Sequence, residues 1–356
     1  MTSRQIHSLQ LIGSKTFGGA ERWFQRFSFA LQELGHHTEI GVRKGYELDQ
    51  DHWNGLTKYP LALRTVWDPL SRLEVSRLIK RLKPEIVQTY MGRATRLTRL
   101  HMGHQPLHVA RIGGYYKLDG YHHAHTWIGN TRGICDYLVK SGFPAQRVHH
   151  IYNFYETPVD TGERVSRSEW RVPDDAWLLL TPGRLVPVKG HCHLLDAVSR
   201  LPSEISGRPL YFMVLGDGPL QETLMMQASA LGIDNRLIWA GWQSNPIPFY
   251  HLSDMVVFPS RDEETFGNVI LEAWAHERPL VTTTFRGARE IIIDGENAVM
   301  APCGKPAALA QAIERTLLDE VLMASLVQEG QRELARMFSK SAIMSQYIDL
   351  YQQLIG

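Results

Sequence analysis

One stretch of the chain places acidic side chains both before and inside a segment with helical periodicity. The stretch reads SRDEETFGNVILEAWAHERPLV, and its carboxylates are Asp262, Glu263, Glu264 and Glu272. Acidic residues favour helix N-termini, so Asp262 or Glu263 could simply cap the helix. The alternative is a bound ligand, whose hydroxyl groups Glu264 and Glu272 would hold on either side of a phosphate.

The start of the same helix could bind that phosphate. The first backbone N–H groups of a helix lack intrahelical acceptors, and the helix dipole favours an anion beside them. In this sequence the groups belong to Gly267, Asn268 and Val269. Glu272 lies one turn beyond Asn268, so the two side chains share a face of the helix.

Two cations follow an apolar run in the loop TPGRLVPVKGH. Gly183 permits a turn, Arg184 can bind a phosphate through two hydrogen bonds, and Lys189 supplies a point charge. The pair suits a diphosphate, although two surface cations on a loop would look the same. Gly216 in VLGDGP can allow close backbone approach to a ligand or serve only as a turn. Trp242 in AGWQ can cover a nucleobase or simply pack.

Strand-like and helix-like segments alternate along the chain, which predicts parallel α/β sheets. In such sheets ligands bind beyond the carboxyl ends of the strands, where all of these loops would lie. A polar segment without periodicity, near residues 153–175, predicts a linker between two Rossmann-like domains. We therefore expect an N-terminal domain over residues 1–155, a C-terminal domain over 156–339 and a final helix over 340–356.

Charge differs sharply between the two halves of the chain. Residues 1–155 carry 21 Lys and Arg against 11 Asp and Glu, whereas residues 156–356 carry 17 against 26. This asymmetry predicts an anionic partner for the first half. Arg93, Arg96 and Arg99 recur every three residues and would share one helical face, and five more cations lie within residues 72–83. Either surface could approach anionic lipid or a phosphorylated glycan, or could be a solvated helix face.

The remaining composition narrows the class of protein. No apolar run approaches the ~18–20 residues of a membrane span, and the first residues do not resemble a signal peptide. Three scattered cysteines argue against a disulfide framework or a zinc site, so a reducing cytosol is expected, with contact at the inner membrane face left open. The histidines at 122, 123 and 125 lack metal-ligand partners at suitable spacing. We expect no metal site and no nucleic-acid partner.

Taken together, the motifs resemble those of the family 4 retaining glycosyltransferases, which have the GT-B fold of two Rossmann-like domains facing a cleft. The resemblance covers nearly the whole chain, more loosely in the first half. It lies in the Glu264 and Glu272 pair and in the segments GRLVPVKGH (183–191), VLGDGP (214–219) and TTTFRGAREIIIDGENAVMAP (282–302). It implies transfer of a sugar from a nucleoside diphosphate sugar, with UDP the expected nucleotide, to a hydroxyl group of a glycan or glycolipid. With the charge asymmetry, it points to bacterial lipopolysaccharide core or another surface polysaccharide.

The resemblance also implies roles for individual residues, and these roles require no metal or other cofactor. Arg184 and Lys189 would bind the donor diphosphate, assisted by the amides of Gly267, Asn268 and Val269. Glu264 would contact donor-sugar hydroxyls, Glu272 the ribose, and the AGWQ stretch with Trp242 the base. The loop with Gly18 and Gly19 matches the N-terminal glycine loop that faces the donor phosphates. The final helix would return to the first domain.

The first half departs from the family pattern at one position. Many members have a histidine before the glycine of a strand-end loop, but here Ile112 precedes Gly113. Arg111, Tyr115 or His125 could take that role. Two other classes remain open: a nucleotide-sugar epimerase of the same architecture, which would leave the basic half unexplained, and a non-catalytic nucleotide-sugar-binding protein, which the intact Arg184, Lys189 and Glu264 argue against.

Overall fold

A computed structural model describes residues 4–51, 53–101, 105–156 and 162–356. The chain divides into two compact units, one comprising Met1–Asn153 with Lys340–Gly356 and the other Phe154–Ser339. The second unit therefore begins two residues before the predicted position. Residues 157–161 of the predicted linker lie outside the described residues. Each unit contains a parallel sheet with helices, so the expected pair of Rossmann-like domains is confirmed.

The first unit is built on seven parallel strands. They are β1 (His7–Ile12), β2 (His37–Arg43), β3 (Thr57–Leu61), β4 (Ile86–Tyr90), β5 (Leu107–Ile112), β6 (Thr126–Gly129) and β7 (Val148–His150). Their order in the sheet is β3-β2-β1-β4-β5-β6-β7. The strand order reverses between β1 and β4, and the carboxyl ends beside such a reversal are where open α/β sheets bind ligands.

The helices that follow these strands are short and amphipathic. They are α1 (Gly19–Glu33), α2 (Glu47–Gln50), α3 (Pro69–Leu82), α4 (Met91–Leu97) and α5 (Arg132–Lys140). On α1 the side chains of Phe24, Phe27 and Leu31 are buried at helical spacing. Asp68 caps α3 by accepting hydrogen bonds from two backbone N–H groups, and Pro69 occupies the first helical position.

The predicted three-arginine face is wrong, because α4 ends at Leu97 and Arg99 lies beyond it. Arg93 donates a hydrogen bond to the carbonyl of Leu63 (3.2 Å), and Arg96 donates to the carbonyl of Lys117 (3.4 Å). These two arginines therefore tie loops of the first unit together instead of lining a common surface with Arg99.

The second unit contains a second parallel sheet. Its strands are β8 (Trp177–Pro182), β9 (Glu204–Ile205), β10 (Arg208–Leu215), β11 (Leu237–Gly241), β12 (Met255–Phe258), β13 (Leu280–Thr283) and β14 (Val299–Ala301). The parallel order is β11-β10-β8-β12-β13-β14, and the short β9 pairs antiparallel with β10. Here the strand order reverses between β8 and β12.

Helices and a large apolar core surround this sheet. The helices are α6 (His191–Val198), α7 (Gln221–Leu231), α8 (Ile247–Leu252), α9 (Asn268–Ala275), α10 (Ala288–Ile291), α11 (Pro306–Leu317) and α12 (Glu320–Met337). The core joins sheet residues such as Leu179 and Phe212 to helix residues such as Leu194 and Ile313. On α12, Gly330 leaves room for Trp274 of α9, since a Cβ at that glycine would lie 2.3 Å from the indole.

The last helix, α13 (Lys340–Ile355), belongs to the first unit. The Tyr347 hydroxyl accepts a hydrogen bond from Nε of Arg111 (3.2 Å), and the Tyr351 hydroxyl donates one to Gln88 on β4 (2.9 Å). The Tyr347 ring also packs against Phe27 of α1, with ring centres 4.5 Å apart. Among the described residues no helix is both long enough and apolar enough to cross a lipid bilayer.

Candidate active site

The two loops at the β8/β12 switch point bring a predicted cation and a predicted carboxylate into contact. Nζ of Lys189, in the loop after β8, lies 2.7 Å from Oε2 of Glu264, in the loop after β12. Both side chains are largely buried, with 22% and 13% of their surfaces exposed. Nζ also lies 5.0 Å from the centre of the Phe258 ring, and the Ser260 hydroxyl donates a hydrogen bond to Glu264 (3.4 Å). The ammonium group is therefore held by a charge and an aromatic face.

Close backbone packing holds these two loops together. Gly190 has a φ of +67°, and a Cβ there would lie 2.0 Å from the carbonyl oxygen of Pro259. The N–H of Arg261 donates to the carbonyl of Val188 (2.8 Å) across the same junction. A side chain at Gly190 would force the loops apart, so glycine at this position is required for the contact between Lys189 and Glu264.

Two more glycines pack the neighbouring strand ends against each other. Gly216 follows β10 with a φ of +145°, and a Cβ there would lie 2.2 Å from the carbonyl oxygen of Gly183. The N–H of Gly216 donates to the carbonyl of Gly241 (2.8 Å), which links this turn to the end of β11. Arg184 is exposed directly after Gly183, and within the described parts of the chain its guanidinium has no hydrogen-bond or ion-pair partner. It can therefore receive an anion without breaking an existing interaction.

The capping explanation for the acidic residues is wrong. Gly267, with a φ of +81°, is the N-cap of α9, and no side chain among the described residues caps this helix. Asp262 instead accepts hydrogen bonds from Arg286 (3.2 Å) and Arg289 (2.8 Å). Burial opposes ionisation of Asp262, but these two guanidinium groups hold its pKa below the usual value. Glu263 lies 3.7 Å from Arg261, so neither acid is directed at the helix amides.

Glu272, on the second turn of α9, is fixed by a neighbouring helix. The hydroxyl of Tyr250, a fully buried residue of α8, donates to Oε2 of Glu272 (2.7 Å). The Tyr250 ring stacks on His276, with ring centres 4.8 Å apart. Burial, followed by the nearby His251, lowers the pKa of His276 to about 4, so this imidazole is neutral at physiological pH. Trp242, after β11, is 59% exposed and is therefore not a core residue.

The strand order sets these loops in a row along one edge of the second sheet. Because β11, β10, β8 and β12 are consecutive neighbours, the row begins with Trp242, continues through Gly216 and Arg184, and ends with Glu264 and the start of α9. An aromatic surface, a glycine turn, a second glycine turn with cations, and an acid with a helix N-terminus thus follow each other in space.

In the first unit, the structure limits which residue could replace the family histidine. Arg111 is buried, with its guanidinium 4.5 Å from the centre of the Trp23 ring and hydrogen bonds to Tyr347 and Asn153, so its role is structural. His125 precedes β6 and thus lies at the amino edge of the sheet, where its Nδ1 accepts the His108 N–H (2.8 Å). Of the three candidates to replace the family histidine, Tyr115 remains, because it follows the carboxyl end of β5.

The predicted glycine loop of the first unit also lies at a carboxyl edge. Gly18 and Gly19 follow β1 beside the switch point, and the Gly18 N–H donates to the buried carboxylate of Glu21 (2.9 Å). Glu21 therefore fixes the start of α1, and the loop lies where sheets of this type bind ligands.

His191 is a residue of the site that sequence reasoning missed. It follows Gly190, is almost fully buried, and neither ring nitrogen has a partner among the described residues. Burial, and then the neighbouring charge of Lys189, lower its pKa to about 4. The only sequence signal is its place after Lys189 and Gly190, which does not reveal burial.

Comparisons with known proteins agree with this fold and site. The family model described as "Glycosyl transferases group 1" matches residues 163–333, and that described as "Glycosyltransferase Family 4" matches residues 17–158. The lipopolysaccharide core biosynthesis glycosyltransferase LpsE of Rhizobium meliloti is 31% identical over 344 residues, which cover 94% of this chain and 95% of LpsE.

Solved structures extend the likeness to the whole fold. A glycosyltransferase from Rickettsia africae has a TM-score of 0.84 at 19% identity and covers 99% of both chains. HepE from Anabaena in complex with UDP-glucose has a TM-score of 0.80 at 18% identity and covers 98% of this chain and 100% of HepE. The two parallel sheets and the loops at their strand ends thus define a glycosyltransferase of the GT-B fold class. The chain belongs to glycosyltransferase family 4. An epimerase or a non-catalytic binding protein is not favoured, since the relatives are named as glycosyltransferases.

Proposed function

We propose that this glycosyltransferase moves a sugar from a nucleoside diphosphate sugar, with UDP as the nucleotide, to a hydroxyl group of a glycan or glycolipid, with retention of configuration. The row of loops along the second sheet is the observation that carries the proposal. A nucleoside diphosphate sugar presents its base, its diphosphate and its sugar in the same order as Trp242, Arg184 and Glu264. The UDP-glucose bound by HepE, which has a similar fold, supports the choice of UDP.

Cations and backbone dipoles supply the electrostatic part of the reaction. Negative charge develops on the diphosphate as its bond to the sugar breaks, and preorganised donors stabilise that charge most effectively. Arg184, Lys189 and the first amides of α9 provide such donors. Lys189 is already positioned by Glu264, which would in turn contact sugar hydroxyls. For retention, we propose front-face attack in which the leaving phosphate takes the proton of the acceptor hydroxyl, a route that requires no metal.

The acceptor is proposed from charge and from the relatives. LpsE is named for lipopolysaccharide core biosynthesis, and the first half of this chain is strongly basic. A growing, phosphorylated lipopolysaccharide core or another surface glycan would provide the matching negative charge. The protein would then act in the cytoplasm, at the inner face of the membrane.

One surface of the first unit suits such a membrane contact. Trp67, Leu70 and Leu73, around the start of α3, are 80%, 64% and 44% exposed. Leu70 and Leu73 line a groove of about 550 Å³ between β3 and α3. The charged residues of its lining are Arg64, Arg77 and Arg81 with Asp68 and Glu74. Exposed apolar side chains among cations are typical of surfaces that dock on anionic lipid. We propose that this surface, hereafter the α3 surface, contacts the membrane.

Substitution of the two cations tests the donor site. UDP binding is measured by calorimetry in the wild type and in Arg184→Ala and Lys189→Ala, with Arg200→Ala as a control, because exposed Arg200 follows α6. Loss of one charge-assisted hydrogen bond, roughly 1.5–3 kcal/mol, should weaken UDP binding by about 10- to 150-fold in the first two variants only. Unchanged affinity in both would remove the proposed diphosphate site.

A second assay tests the reaction itself. With UDP-glucose and candidate acceptors, the anomeric proton of the product is compared with that of the donor by NMR. Transfer with the donor's α configuration is expected. An isomerised donor would identify an epimerase, and an inverted product would overturn the proposed retention.

A further inference from the structure

Two histidines and a glutamate meet at the amino edge of the first sheet, opposite the edge where β1 and β4 end. His7 is the first residue of β1, and His37 and Glu39 lie on β2. His7 and His37 are paired in the register of these parallel strands, and Glu39 follows two residues later. All three side chains therefore project from the same face of the sheet.

Their possible ligand atoms lie close together. One nitrogen from each histidine and one oxygen from Glu39 are all within 4.8 Å of one another. Nε2 of His7 is 2.8 Å from Oε2 of Glu39, and the two imidazole rings stack with centres 4.2 Å apart. The stacked rings do not direct their nitrogens at one point, but His37 is exposed and its side chain can rotate out of the stack towards a shared ion.

We propose that His7, His37 and Glu39 bind a divalent transition-metal ion, for which Zn²⁺ is the best-suited candidate. Two imidazoles and one carboxylate are a common ligand set for zinc, with ligand distances of roughly 2.0–2.2 Å. A bound water would complete the tetrahedral coordination. Imidazole and carboxylate ligands bind a metal only in their deprotonated forms, so zinc binding should weaken as the pH falls.

Neighbouring groups orient the ligands as the second shell of a metal site does. The Tyr59 hydroxyl on β3 donates to Oε1 of Glu39 (2.7 Å), which leaves Oε2 directed at His7. The backbone N–H of His7 donates to Glu85 (3.1 Å), which fixes the start of β1. Such partners hold ligating side chains in place and strengthen metal binding. Since the ligands stand on two adjacent strands, the ion would cross-link β1 to β2.

This site lies outside the row of loops in the second unit, so the inference is independent of the proposed donor site. The sequence does not reveal it because His7 is distant from His37 and Glu39 along the chain. Only the register of β1 with β2 brings the three together.

Zinc titration of the full chain tests the inference. After removal of metals with a chelator, ZnCl₂ is titrated by calorimetry, and we expect one saturable site per chain with micromolar or tighter affinity. His37→Ala should weaken binding at least tenfold and abolish the zinc-dependent rise in melting temperature. His122→Ala, which replaces another exposed histidine of the first unit, should leave both unchanged.

Two further measurements test whether the zinc ligands are the proposed side chains. Co²⁺ bound at this site should show d–d absorption without thiolate charge-transfer bands, because the three cysteines are not ligands. Tyr59→Phe should weaken zinc binding by about 10- to 100-fold while preserving the stoichiometry. Thiolate bands, the absence of saturable binding, or wild-type zinc affinity in both His37→Ala and Glu39→Gln would each overturn the proposal.

Discussion

At the scale of single residues, the ion pair between Lys189 and Glu264 lies at the centre of the proposed donor site. Neither partner is fully exposed, so each would be costly to bury without the other. A donor that approaches this pair finds the ammonium group of Lys189 already held 2.7 Å from Oε2 of Glu264. The pair thus preorganises two groups whose proposed partners, a phosphate and a sugar hydroxyl, are adjacent in one ligand.

His191 gives a pH-dependent prediction at the same scale. Its pKa is about 4 in the folded protein because of burial, whereas an unfolded histidine titrates near 6.5. Between these values the unfolded chain binds the proton and the folded chain does not. The contribution of His191 to the free energy of unfolding should therefore be complete above pH 6.5 and should decrease as the pH is lowered towards 4. The contribution of this residue is roughly 1–3 kcal/mol.

The variant His191→Leu should separate this effect from others. At pH 7.5 its melting temperature should equal or exceed that of the wild type, because a buried imidazole without a partner is replaced by an apolar group. At pH 5.0 it should lose less stability than the wild type. His193→Leu, on the same helix but only partly buried, should retain the wild-type pH dependence. If the wild type and His191→Leu lose the same stability between pH 7.5 and pH 5.0, protonation of His191 is not the cause of the pH dependence.

At the scale of helices and strands, the sequence predicts strands better than helices. The apolar run WLLL at residues 177–180 matches β8, since buried parallel strands are nearly continuous apolar segments. Arginines at intervals of three do not reveal that α4 has only seven residues. No helix was expected over 306–337, where α11 and α12 lie. On α12 only Leu326 and Gly330 are buried, so most of its apolar residues do not mark a buried face.

The donor-site loops could be predicted because each motif is local and follows a strand. Contacts between strands that are distant in sequence could not be predicted, because local residue spacing does not encode the register of one strand against another. The motifs therefore predict that Arg184, Lys189 and Glu264 belong to one donor site. They do not predict the ion pair of Lys189 with Glu264, the burial of His191 or the cluster of His7, His37 and Glu39.

The α3 surface gives a prediction at the scale of elements. The combined Trp67→Ser, Leu70→Ser and Leu73→Ser variant should cosediment at least tenfold less with vesicles that contain phosphatidylglycerol, because three exposed apolar anchors are lost. Reversing Arg77 and Arg81 should also weaken binding, since each cation near an anionic surface contributes about 1 kcal/mol. UDP affinity should not change in either variant.

A matched control exists in the second unit. Leu318 and Val321 are 59% and 81% exposed and can be replaced by serine in the same way. This variant should bind vesicles like the wild type. Equal vesicle binding by all variants would refute the membrane role of the α3 surface, and selective loss of binding to a soluble phosphorylated glycan would assign the groove to the acceptor instead.

At the scale of the whole molecule, the two units differ in charge and in the continuity of the chain that forms them. The second unit holds the acidic sequence and the proposed donor loops, whereas the first holds most of the excess positive charge. The first unit is not continuous in sequence, because α13 returns to it after the whole second unit. Its stability therefore depends on residues that lie nearly 190 positions beyond the rest of the unit.

Deletion of residues 340–356 tests this dependence. The deletion removes buried side chains of α13, namely Ile343, Met344, Tyr347, Leu350 and Tyr351. Each buried large apolar side chain contributes roughly 1.5–3 kcal/mol, and the buried Arg111 also loses its hydrogen bond to Tyr347. Hydrogen exchange should therefore accelerate strongly in β1–β7 while β8–β14 keep their protection. Tyr351→Phe, which removes the hydroxyl bonded to Gln88 and keeps the ring, should cost about 1 kcal/mol. Equal loss of protection in both sheets would mean that the two units unfold together and that α13 does not stabilise the first unit selectively.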